Sequence, residues 1–210
     1  KLNCSHNFLC GIASIPSSVT YLDISHNCLE SISFANLDNL QNLDISYNKI
    51  RYLAKLPQSL NKFNAEYNLL NESAPISLKN LSTLQINSNS FTEIPFFSDC
   101  TGVSMFIMRN NKISNINVSN ICKTVQRIDI TDNEIENLPP QLFELKKIQY
   151  LNVSINRIKE IPPAISGLNI TTLFINGNPI TNLPELPQSL LYLCASSCDF
   201  KEIPQSIFNV

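Results

Sequence analysis

Two histidines, seven cysteines and six Asn-x-Ser/Thr triplets are the residues of this 210-residue chain whose types could carry chemistry. His6 and His26, with Asp23 and Asp44 nearby, have the ligand types of a metal site but not the close ligand pairs of a zinc site. The cysteines, at 4, 10, 28, 100, 122, 194 and 198, are odd in number and scattered. That pattern points to free thiols in a reducing compartment rather than to a disulfide framework. The triplets begin at Asn3, Asn71, Asn80, Asn117, Asn152 and Asn169. With 28 Asn and 33 Ser plus Thr in the chain, roughly four would arise by chance, so they say little about a secretory route. Only 4 Gly are present, too few for a phosphate-cradling loop. No catalytic residue, cofactor site or metal ligand is assigned.

What must position these residues is a recurring frame. Val19, Leu22, Ile24, Asn27 and Leu29 have the form L-x-x-L-x-L-x-x-N-x-L, and Leu40, Leu43, Ile45, Asn48 and Ile50 repeat it. The framing asparagines continue through Asn68, Asn89, Asn111, Asn133, Asn156 and Asn178, with Asn7 before them. A tenth frame, Leu190-Leu193-Ala195, carries Cys198 in the asparagine slot. Spacings run from 20 to 23 residues, a period that no helix or coiled coil produces.

On these residues the chain resembles the leucine-rich repeat family over essentially its whole length. The resemblance implies an α/β solenoid of horseshoe shape, right-handed, with a parallel β-sheet on the concave face. It also implies a protein-recognition role. The alternation at Leu22-x-Ile24 and Leu151-x-Val153 is that of a short strand with one buried face. One such strand cannot bury its apolar side, whereas stacked copies share a continuous core. About ten strands at about 4.8 Å each predict a sheet roughly 45 Å long. Residues 1–210 are expected to form one domain of about ten repeats, a fragment of a longer protein, because no cap is evident at either end. The asparagines Asn27, Asn48, Asn68, Asn89, Asn111, Asn133, Asn156 and Asn178 are expected to form a ladder that satisfies the turn's backbone groups.

The halves between strands are of two kinds. Ile15-Pro-Ser-Ser-Val19, Leu56-Pro-Gln-Ser-Leu60 and Leu186-Pro-Gln-Ser-Leu190 resemble the LP-x-x-L repeats of bacterial effector proteins. The longer ones place Leu37, Leu78, Cys100, Cys122 or Leu145 where these have proline, three residues before the first frame position. Proline fixes φ and favours extended backbone before it, so the convex side should be mostly extended and 3-10. A helical turn is predicted within 139–147, with proline at its start. Ser73 stands where sibling repeats have Leu or Ile, so a bulge is predicted over 70–77.

The frame also reinterprets the histidines. His6 and His26 share a slot with Tyr47 and Tyr67, which makes the column a repeat position rather than a ligand set. They should stack about 5 Å apart on the sheet face.

Alternate strand residues point away from the core and build columns across the concave face. One column reads Asn3, Asp23, Asp44, Asn64, Gln85, Ile107, Asp129, Asn152, Phe174 and Cys194. The other reads Tyr21, Asn42, Lys62, Thr83, Met105, Arg127, Tyr150, Thr172 and Tyr192. No packing demand places Met105, Ile107 and Phe174 there, and aromatic, Met and Arg residues are enriched in interface cores. Met105, Ile107, Arg109, Arg127, Tyr150, Phe174 and Tyr192 are therefore the candidate partner-binding residues.

A formal charge of −2 gives no electrostatic case for nucleic acid, and no apolar run is long enough to insert in a membrane. The expected function is non-catalytic binding of another protein on the concave face, in signalling, with a cytoplasmic location. The alternatives are the targeting region of a multidomain signalling enzyme (phosphatase, kinase, cyclase or ubiquitin ligase) and a secreted or cell-surface receptor ectodomain.

Overall fold

The computed structural model describes residues 1–97 and 99–209. Its strands are β1 (Leu2–Asn3), β2 (Tyr21–Asp23), β3 (Asn42–Asp44), β4 (Tyr52–Leu53), β5 (Lys62–Asn64), β6 (Glu72–Ser73), β7 (Thr83–Gln85), β8 (Met105–Ile107), β9 (Arg127–Asp129), β10 (Tyr150–Asn152), β11 (Thr172–Phe174) and β12 (Tyr192–Cys194). All pairings are parallel. Ten of the strands line one face of a solenoid, as the repeat frame predicts, and residues at equal frame positions stand side by side: Leu22 opposite Leu43, Leu151 opposite Leu173.

The middle residue of each three-residue strand and the residue just after the strand point inward. Leu22 with Ile24, Leu43 with Ile45 and Leu151 with Val153 are no more than 3 % exposed, and they join one core running through the stack. Each such side chain contributes about 1.5–3 kcal/mol on burial, and the stacking supplies what a lone repeat lacks.

The convex side is extended or 3-10, with 3-10 segments at Val118–Asn120, Pro140–Glu144, Pro163–Gly167 and Gln205–Asn209. The turn at Pro140–Glu144 starts on proline as anticipated: the missing N–H has no intrahelical partner there in any case. Ser73 does not cause a bulge. Glu72–Ser73 instead pairs with Tyr52–Leu53 in a two-stranded parallel sheet of its own, with Leu53 opposite Ser73. A small side chain is tolerated there because backbone hydrogen bonds carry the pairing.

A second difference lies in the main sheet, which divides into β1–β2–β3–β5–β7 and β8–β9–β10–β11–β12. The turns beyond the strands remain joined, with Ser88 N donating to Arg109 O at 2.9 Å and Asn89 N to Asn110 O at 3.2 Å. In several repeats an Asp or Asn ends the strand and accepts the N–H two residues on, as Asp44 accepts from Ser46 at 2.9 Å. Ile107 has no acceptor, and the Arg109 N–H donates to Asn87 Oδ1 across the junction at 2.7 Å. Gly102 also sits here, where an added Cβ would lie 2.7 Å from Leu81 O.

The framing asparagines form a repeated network. Asn133 Nδ2 donates to Met108 O, Ile130 O and Thr131 O, and its Oδ1 accepts from Ile113 N at 2.9 Å. Asn27, Asn48, Asn68, Asn89, Asn111, Asn156 and Asn178 likewise bind the backbone of the preceding repeat. Cys198 keeps only part of this, donating Sγ–H to Ile175 O at 3.5 Å. Ile180 N then turns to Asn178 O at 2.8 Å.

Candidate binding surface

The strand geometry presents the two columns on the concave face, and their hydrogen bonding differs between the two halves of the sheet. The Asp and Asn side chains of one column cap their own turns. Asp23 Oδ1 accepts from Ser25 N at 3.1 Å and Ser25 Oγ at 2.7 Å, and Asp44 does the same for Ser46. Neighbouring caps are tied laterally, Asn64 Nδ2 donating to Asp44 Oδ2 at 3.0 Å. These residues are structural: their acceptors are already in use.

Past the sheet division the column changes character. Asp129, 0 % exposed, is the hub. Its Oδ1 accepts from Thr131 Oγ1 at 2.7 Å, and its Oδ2 accepts from Arg109 Nη2 at 2.6 Å. Arg127 Nη2 lies 3.7 Å from the same oxygen. The bond to Asp129 raises the Arg109 guanidinium above its ordinary value, against an opposing effect of burial. A buried carboxylate here is compensated because two guanidiniums and a hydroxyl share it.

Arg127 then continues the arrangement sideways. Its guanidinium carbon stands 3.7 Å from the centroid of the Tyr150 ring, within cation–π range. Tyr150 meets Phe174 at 5.5 Å between centroids, and Phe174 meets Tyr192 at 5.2 Å, both tilted by 44°. These separations follow from the register, which sets Arg127, Tyr150, Thr172 and Tyr192 on one line across adjacent strands. Tilted pairs at such distances attract beyond simple burial.

Of the seven candidate residues, five are thus drawn into one group: Arg109 and Arg127 through Asp129, then Tyr150, Phe174 and Tyr192. Met105 and Ile107 lie beside it on β8, in register with Arg127 and Asp129, and do not share its polar contacts. Met105 is 51 % exposed and Tyr192 53 %, while Ile107, Tyr150 and Phe174 are half-buried.

Asp129 is the member that the sequence reading did not single out. The signal was present in the recurrence of Asp23-Ile-Ser25, Asp44-Ile-Ser46 and Asp129-Ile-Thr131, an Asx-type capping pattern.

The histidine column stacks as expected, but in the turn rather than on the sheet face. His6, His26, Tyr47 and Tyr67 form a continuous ring stack, with centroid spacings of 4.1, 4.1 and 4.3 Å. They lie beyond the strand, in the turn, each with φ between 52° and 55°. Ser88, Asn110, Asp132, Ile155, Gly177 and Ser197 take the same left-handed conformation in later repeats. Among the described residues no cluster of three or more His, Cys, Asp or Glu could hold a metal. No helix among them is long and apolar enough to cross a membrane.

Two leucine rich repeat models match the chain, one at residues 13–50 and 123–180 and the other at 39–63, together just over half of its 210 residues. No curated protein sequence matches. Among solved structures, the functional domain of InlJ from Listeria monocytogenes is 24 % identical with a TM-score of 0.66, the match covering 89 % of this chain and 46 % of that one. YopM from Yersinia enterocolitica is 24 % identical with a TM-score of 0.58, covering 96 % of this chain and 52 % of that one. The LRIM1/APL1C complex contains a chain 21 % identical with a TM-score of 0.76, covering 87 % and 35 %. These likenesses concern the fold, and the chain spans about half or less of each of these three structures.

Proposed function

Because the chain belongs to the leucine-rich repeat family, we propose that it is a non-catalytic recognition module that binds a partner protein on its concave face, within a signalling assembly. Arg127 on Tyr150 carries this reading. The pair continues through Phe174 to Tyr192, facing solvent and apart from the inward core. A rigid aromatic row ending in two arginines held by one buried carboxylate loses little side-chain freedom on binding, which favours affinity. The role of Asp129 is to position: it sets the two guanidiniums and is itself out of reach. The partner surface that suits this group is apolar, with a carboxylate able to meet the outer edge of Arg109.

The test is affinity capture from the native host with the unaltered chain and with Phe174→Asp plus Tyr192→Ala, followed by identification of the bound protein. The reading expects a partner captured only by the unaltered chain. Equal capture by both would remove the concave face from the proposal. A cytoplasmic location fits the odd, scattered thiols. A second reading, a surface ectodomain, is supported by the exposure of the triplet asparagines Asn71, Asn80, Asn117 and Asn169. Glycosidase-sensitive migration of the native protein on a gel would favour it.

A further inference from the structure

On the convex side, away from the concave face, a cavity of about 900 Å³ opens between the segments 116–124 and 139–147. Its two walls are tied to different repeats. On one side, Asn120 is tied back to the preceding repeat: its Nδ2 donates to Ile94 O at 2.7 Å, and its O accepts from Phe97 N at 2.8 Å. On the other, the 3-10 turn Pro140–Glu144 packs forward on Pro163–Gly167, and Lys146 Nζ donates to Gly167 O at 3.3 Å. Each wall bonds to the repeat beyond it, and the space between them stays open.

The lining is of two kinds. Ile121 and Leu145 are 2 % and 7 % exposed and, with half-buried Val118, give an apolar floor. Lys123, Lys146 and Lys147 stand exposed around it, with Glu144 the one carboxylate among the lining residues. The volume falls within the range of small-molecule sites, about 300–1,000 Å³, and three ammonium groups against one carboxylate leave a local positive excess. We propose that this cavity binds a small amphipathic anion, a carboxylate or phosphate on an apolar body. The body covers the floor and the anion meets Lys123 and Lys147, while Lys146 is held on Gly167 O. This site is independent of the concave face.

The test uses the 210-residue chain and calorimetric titration with dodecyl phosphate, laurate and dodecyl maltoside, each below its micelle concentration. Saturable binding of the two anions, at least about tenfold tighter than the neutral maltoside, is the expected result (about 1.4 kcal/mol). Lys123→Glu with Lys147→Glu should weaken the anions by at least about tenfold. Lys49→Glu with Lys62→Glu, the same charge change elsewhere, should not. The chain has no tryptophan, so Gln141→Trp places a single reporter at the cavity, and its emission should change with the same midpoint. Circular dichroism checks that each variant is folded. No saturable binding, equal affinity for the maltoside, equal loss from the distant charge reversal, or a silent indole in the Gln141→Trp variant would each overturn the proposal.

Discussion

Arg109 and Asp129, twenty residues apart in sequence, meet at 2.6 Å in a pair whose carboxylate side is fully buried and whose guanidinium side is 47 % exposed. The carboxylate belongs to the scaffold and the guanidinium to the surface. One contact therefore links the stability of the repeat to the orientation of the candidate binding group.

Removing that carboxylate should affect both. Asp129→Ala leaves Thr131 without its acceptor and frees both arginines, at a cost of about 2 kcal/mol, less than for a fully buried pair because Arg109 reaches water. Asp129→Asn keeps the acceptor for Thr131 and should cost less than Asp129→Ala. Urea unfolding, comparing midpoints at equal slope, measures the difference.

The asparagine network predicts a strong dependence on position. Asn133→Leu strips partners from four backbone groups and should cost on the order of 3 kcal/mol. Among the described residues exposed Asn7 bonds only Cys4 O and Ser5 O, so Asn7→Leu should cost under about 0.5 kcal/mol. Near-equal losses in chemical denaturation would contradict the ladder as a source of stability.

Ile155 is a β-branched residue at φ 54°, and the next repeat has Gly177 at φ 63° in the same slot. Ile155→Gly should therefore stabilise the chain by about 1 kcal/mol, since Ile155 is 55 % exposed and gives up little packing. Gly177→Val should destabilise by a similar amount. Thermal melts of the two variants should move in opposite directions.

Burial raises the Cys100 thiol above its ordinary value. The fold thus favours the neutral thiol. Its contribution to stability is complete below the unfolded value, about 8.5, and is lost as pH rises from there through the folded value. Unfolding free energy should fall between pH 8 and 10, and Cys100→Ala should flatten that slope. Iodoacetamide with mass spectrometry should find exposed Cys10 labelled at pH 8 long before buried Cys100.

Much of the fold could be read from spacing alone. Leu22, Ile24 and Asn27 recur at fixed offsets, and apolar burial at those offsets admits one arrangement: parallel strands stacked with every frame residue beside its sibling. The extended convex side followed from its prolines. Such features depend on backbone placement, which the local pattern of a repeat encodes. What the tertiary structure decided are the meetings between repeats. By its type Asp129 is one more polar column member; the fold brings Arg109, two residues past β8, and Arg127, on its own strand, together on it. His6 and His26 sat in a repeat slot, but only the folded chain placed that slot in left-handed turn backbone and ran the stack on through Tyr47 to Tyr67. The division between β7 and β8 falls where Asn87 of one repeat accepts the Arg109 N–H of the next. A 20- to 23-residue period specifies which side chains stand abreast. It does not specify which of them reach one another, because that depends on side-chain length, acceptor position and the lean of each connecting segment.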